Sequence, residues 1–180
     1  MCLAVLTVVA VQIAAADYTG APRIGVPQLE RRVHDLINKE RTSGKRPVLQ
    51  WDDRLTQIAR GHSADMVKRA FFDHVNPDGA DPTARGKRAG YDCRKAIDRT
   101  TYREGLAENL AELPRFRRVH ITGTRKTYDW NTLEDIARES VSGWMHSPGH
   151  RRNILEKAYS NSGVGVAMSS EHIYITQLFC

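Results

Sequence analysis

The chain of 180 residues has no pair of cysteines two residues apart, no His-Glu-x-x-His segment, no Gly-x-Ser-x-Gly turn and no phosphate-binding glycine loop. Those absences remove the signatures of thiolate zinc sites, zinc peptidases, serine-elbow hydrolases and nucleotide binders. They weigh against a hydrolase without ruling one out. Cysteine is scarce, at 3 residues, so the chain has no dense disulfide framework. Acidic side chains are outnumbered, 21 Asp and Glu against 27 Lys and Arg, for a net charge of +6. A basic balance suits an acidic partner, either anionic lipid or an acidic cell-surface polymer; the plainer reading is a solvated basic surface. Neither a zinc finger nor an RNA-binding signature accompanies it, so nucleic acid is not an expected partner.

The N-terminal run, residues 1–16, is uncharged and ends in Ala14, Ala15 and Ala16. It falls short of the roughly 20 apolar residues that span a bilayer. Small residues at its end fit removal of a signal peptide near Asp17, and the expectation is a secreted, extracellular chain. No Lys or Arg precedes the run, which leaves an uncleaved membrane anchor or a buried segment as alternatives. Residues 17–27 then read as a linker and 28–180 as one domain, long enough to bury its own core. Cys2 would leave with the signal. Cys93 and Cys180 remain, and a pair in an exported chain points to one disulfide. Two free thiols are the other reading, since sequence does not give their separation.

Apolar spacing predicts a helix over 28–42, with Leu29, Val33, Leu36 and Ile37 on one face, and a second from the Asp52 N-cap to Ala70. Residues 81–103 read as polar and irregular. Residues 114–127 alternate basic and apolar side chains and read as a basic hairpin or loop. Thr132 to Asp135 resembles a capping box for a third helix whose inner face holds Ile136, Ala137, Val141 and Trp144. Ser147-Pro148 reads as an N-cap and first helical residue. Two closing strands, 163–168 and 173–179, flank a turn at 169–172. The order implies an α+β layered domain with an antiparallel sheet covered by helices.

Three segments put a titratable side chain beside a structural anchor. His74 follows Phe71-Phe72 and precedes the Asn76-Pro77-Asp78-Gly79 turn. Glu108 lies between Leu106 and Leu110, where a lone carboxylate is costly unless paired. His150 sits in the first turn of a helix behind Trp144. Two imidazoles and a carboxylate in one pocket could bind a divalent metal, zinc above all, or carry acid–base work. The plainer account is that His74 and His150 bridge segments by hydrogen bonds, and that His62 is a satisfied core histidine.

FFDHVNPDG, GLAENLA, WMHSPGHRRNIL and the closing GVGVAM and YITQLF resemble the CAP superfamily of cysteine-rich secretory, antigen 5 and pathogenesis-related 1 proteins, closest to its short prokaryotic branch. The resemblance runs over residues 29–179. It implies a three-layer α-β-α sandwich with a central, mainly antiparallel sheet and an open cleft lined by two His and two acidic residues. It assigns His74 and His150 as the two histidines and Glu108 as the glutamate of the Glu-Asn-Leu segment. Asn109 would fix the backbone beside Glu108. Where many eukaryotic members carry the second acid, this chain has Ser147, with His146 beside it. The fourth acidic group is thus missing or supplied elsewhere. In some members the two histidines hold zinc or another divalent ion, which makes His74 and His150 the metal ligands to expect.

Two functions follow. The first is a monomeric, non-enzymatic extracellular binding module whose cleft takes a metal, lipid, peptide or cell-surface component. The second is a metal-assisted or Ser/His hydrolase using Ser147 or a His-bound water. A structural domain touching acidic polymers through residues 115–126 is a third.

Overall fold

The computed structural model describes residues 20–96 and 98–180. The signal-peptide expectation for residues 1–16 lies outside them. Among the described residues no helix is long and apolar enough to cross a membrane. The elements run α1 Val26–Ser43, β1 Gln50–Trp51, α2 Asp53–Arg69, α3 Pro82–Arg88, β2 Arg94–Ala96, β3 Tyr102–Glu104, β4 Ala107–Pro114, β5 Phe116–Thr122, β6 Arg125–Trp130, α4 Leu133–His146, α5 Pro148–Leu155, β7 Asn161–Met168 and β8 His172–Phe179.

Local chemistry sets most boundaries. Asp52 caps α2 by accepting from Arg54 N and Leu55 N, and Thr132 with Asp135 forms the full capping box of α4. Ser147 stands at the N-cap of α5, but its hydroxyl makes no capping bond. The stretch expected to be irregular, 81–103, instead contains α3 and the first strand of the small β2–β3 hairpin. Helix α3 starts on an Asp81 N-cap and Pro82, a short signal that basic residues on either side obscure.

The main sheet has the order β1-β7-β8-β4, with β1 parallel to β7 and the other pairs antiparallel. Alternation along the strands makes two layers around it. Val164, Val166, Ile173, Ile175 and Phe179 join Leu29, Val33 and Ile37 of α1 and Ile136, Ala137, Val141 and Trp144 of α4 in the principal core. On the other face Leu178 packs with Leu55, Ile58 and Ala59 of α2. The result is the α-β-α sandwich.

Helix α2 reaches the sheet only because β7 carries Gly163 and Gly165. A Cβ at Gly163 would overlap backbone of Leu55 and Thr56, and one at Gly165 would overlap backbone of Ala59 and Arg60. Two buried charges fasten the layers. Glu30, fully buried, accepts from Arg60 Nε at 2.8 Å, Arg60 Nη2 at 2.5 Å and Val166 N at 3.1 Å. Arg41, also fully buried, donates to the carbonyls of Pro47, Ile154, Glu156 and Tyr159 at 2.7–3.2 Å. Cys93 and Cys180 form a disulfide with a Cα separation of 5.6 Å, binding the loop before β2 to the end of β8.

The close approach of α2 makes a sharp prediction. Gly165→Ala should cost about 3 kcal/mol or more, because helix backbone rather than a side-chain tip must move. Gly61→Ala, in the same helix with open space around its Cβ position, should be neutral or stabilise by about 0.5–1 kcal/mol. Urea unfolding of both variants checks the pair.

Candidate functional site

The site forms where the end of α2, the turn after it, α3 and the edge strand β4 meet. Ala70 takes the left-handed conformation at φ 53° and ends α2. The chain then runs through His74 into a turn held by Asn76, whose Oδ1 accepts from Asp78 N at 3.1 Å and Ala80 N at 2.8 Å. Gly79 supplies the positive φ of 75° that this turn requires. Arg69 pairs with Asp65 and, at 3.0 Å, with Asp78, which fixes the turn against the helix.

Glu108 points from β4 to the α2 side, and its side chain is 1% exposed. Both carboxylate oxygens are engaged. Oε1 accepts from His74 Nδ1 at 2.8 Å, and Oε2 accepts from Arg85 Nη2. Since a carboxylate only accepts, His74 carries a proton on Nδ1, and Nε2 is left as the nitrogen that can lose one. His62 Nε2 lies 3.9 Å from Glu108 Oε1, yet it hydrogen-bonds the Asp73 carbonyl at 3.0 Å. His62 is therefore a core histidine partnered at Nε2 alone, its buried Nδ1 making no hydrogen bond among the described residues. Arg85 is the hub: besides Glu108 it donates to the carbonyls of His74 at 2.8 Å and Ala80 at 2.9 Å. Sequence reasoning missed it, because the short helix that carries it went unrecognised.

His150 stands on α5. Its backbone carbonyl accepts from Asn109 Nδ2 at 3.3 Å. Asn153, also missed, donates to the Glu108 carbonyl at 3.2 Å and to Asn109 Oδ1 at 3.0 Å. These asparagines join α5 to β4. The His150 ring makes no hydrogen bond among the described residues but feels the charge of His74. The structure thus puts His74, Glu108 and Arg85 in direct contact and brings His150 within electrostatic range of His74. His146 is exposed, with Nδ1 donating to the Ser142 carbonyl at 2.7 Å. It lines a separate depression of about 350 Å³ with Met145, Pro148, Arg151, Arg152 and Leu155. The Ser147 hydroxyl makes no hydrogen bond among the described residues.

The imidazoles separate electrostatically. The bond to Glu108 raises the His74 pKa above 6.5. Burial lowers His62 and His150 below it, with the charge of His74 adding to the effect on His150. Among the described residues no group of three or more His, Cys, Asp and Glu side chains is arranged to hold a metal ion.

The profile of the CAP family, described as the cysteine-rich secretory protein family, matches residues 34–179. The chain belongs to that family. This CAP domain is 31% identical over 151 residues to the uncharacterized protein YkwD of Bacillus subtilis, covering 84% of this chain and 47% of that protein. It is 28% identical over 150 residues to the uncharacterized membrane protein YlbC of the same organism, covering 83% and 34%. The chain therefore spans about half or less of these curated relatives. An extracellular protein containing a SCP domain from Bacillus anthracis superposes with a TM-score of 0.61 at 25% identity, covering 86% of this chain and 40% of that one. An outer surface protein from Borrelia burgdorferi gives 0.62 at 17% identity, covering 88% and 96%, a likeness of fold.

Two measurements test the site. In an NMR titration His74 should titrate above pH 6.5 and His62 and His150 below it, and Glu108→Gln should bring His74 down. Arg85→Ala should cost about 3 kcal/mol, since it strands a buried carboxylate, and adding Glu108→Gln should restore part of that in a denaturant double-mutant cycle.

Proposed function

We propose that this CAP domain is an exported binding module whose cleft, centred on His74 and His150, captures a ligand without chemical turnover. The observation that carries this reading is the engagement of both Glu108 oxygens, by His74 and by Arg85. A carboxylate held by two cationic or donor groups is not presented to a substrate as a base. It works instead as an orienting group that turns the His74 ring. Export is supported by the Cys93–Cys180 disulfide, a bond that persists in oxidising compartments.

A divalent cation, zinc by preference, fits the donor chemistry. A carboxylate behind an imidazole is the usual outer support of a metal-bound histidine. His74, through Nε2, and His150 would hold the ion, with water completing the shell. Bound there, it would supply a Lewis-acidic anchor for an anionic or carbonyl group of the ligand. With two protein donors the affinity is modest. The raised pKa of His74 would make binding pH-dependent: below that value a proton on Nε2 competes with the ion and the apparent affinity would fall.

The test is a thermal-shift titration with zinc at pH 7.5. A rise in Tm is expected, about 2.7 kcal/mol of stabilisation at a hundredfold excess over Kd. It should disappear in His74→Ala and in His150→Ala, and weaken steadily once the pH falls through the raised His74 pKa. A Tm that stays flat across the titration overturns the metal reading.

A further inference from the structure

We propose that hairpin β5–β6 is a lipid-surface arm, which lays one apolar face on an anionic bilayer. The hairpin is its own two-stranded sheet, apart from the main one. Its base is tied down by Arg115 N donating to the Glu171 carbonyl at 2.7 Å and Asn131 N donating to the Arg115 carbonyl at 2.9 Å. Beyond that, residues 117–127 are exposed without exception.

The register makes the ribbon two-faced. A bulge at Arg117 shifts the pairing between Phe116 and Arg118. Phe116, opposite Trp130, therefore shares a face with Val119, opposite Tyr128, and with Ile121, opposite Lys126. Without the extra residue Phe116 would point the other way. The rings of Phe116, Tyr128 and Trp130 cluster at 5.0–5.8 Å on this face near the base. Toward the tip it continues into Val119, 39% exposed, and Ile121, 67% exposed. The opposite face carries Arg118, His120, Thr122, Arg125, Thr127 and Asp129.

Charge and apolar exposure together select the partner. Asp129 pairs with His120, and Arg117 lies 3.5 Å from Asp135. Arg125 and Lys126 at the tip form no ion pair among the described residues. A hydrated polyanion would satisfy these cations but offers nothing to Ile121 and Val119. A bilayer surface takes both: the branched side chains of Val119 and Ile121 enter the headgroup boundary, and Lys126 extends its stem to a phosphate. Arg118 and Arg125, on the upper face, stay within a Debye length of the anionic surface. No residue of this arm belongs to the His74 cleft, so the two readings stand or fall separately.

The test uses the full chain with an environment-sensitive fluorophore on Thr124→Cys at the hairpin tip, in a Cys2→Ser background. Phosphatidylcholine vesicles containing phosphatidylglycerol should shift the emission to the blue, and vesicles of phosphatidylcholine alone should not. Arg125→Glu with Lys126→Glu should weaken partitioning about tenfold or more, and Ile121→Ser by about tenfold. Circular dichroism of these surface variants should match that of the parent. The proposal is overturned by an absent shift, by a shift independent of phosphatidylglycerol and of the charge reversal, or by equal binding to soluble polyphosphate that Ile121→Ser leaves unchanged. The second of these outcomes would assign vesicle binding to another part of the chain, and the third would make the arm a polyanion surface.

Discussion

A carboxylate buried on an edge strand is the constraint around which this domain is arranged. Glu108 is almost wholly out of water, where an unpaired charge costs several kcal/mol. Its compensation comes from two separate pieces of chain: His74 from the turn after α2, and Arg85 from α3. Arg85 also holds the carbonyls of His74 and Ala80, so one guanidinium closes the loop that presents the imidazole. The position of α2 matters equally, because its end launches that loop. Gly163 and Gly165 bring the helix down to β7, and in doing so they set how far His74 stands from β4. Packing and electrostatics are thus coupled: a helix lifted by one methyl group would also loosen the ion pair.

Much of this was legible in the sequence, and the reasons are local. Helices α1, α2 and α4 carry long apolar periodicities with capping residues, and β7 and β8 are runs bounded by turn chemistry. His74, Glu108 and His150 stood out because each sits beside an anchor. Arg85 did not, since its helix has only seven residues and no apolar face to reveal it. Asn153 was equally silent: its role comes from the approach of α5 to β4, a tertiary fact. The segment carrying Glu108 does not read as a strand, because AENLAELP mixes apolar residues without clean alternation while its inner half is buried on both faces. Ser147 occupies the expected capping place, and its backbone N–H closes α4, but its hydroxyl makes no capping bond to α5.

The polar surface is organised less by number of charges than by where they are held. Glu30 and Arg41 are buried and saturated, and they tie α1 to α2, β7, α5 and the loop into β7. The disulfide joins residues 87 apart in sequence and pins the β2–β3 excursion, whose short strands could not hold themselves. Lys95 on that excursion is buried at 5% exposure, donates to the Gly105 carbonyl and lies 4.9 Å from the Tyr159 ring. The chain therefore spends its buried cations on architecture and leaves the hairpin's arginines to the outside.

The side-chain donors and acceptors along the sheet margins have a consequence for how molecules meet one another. On the outer rim of β4, the carbonyls of Glu108 and Leu110 are already taken by Asn153 and by the Trp144 indole. On the other rim β1 is only two residues long, and past its end the amide of Val166 is taken by Glu30. At those positions of the main sheet a strand from a neighbouring copy would find the pairing groups already occupied, which works against edge-to-edge extension of that sheet.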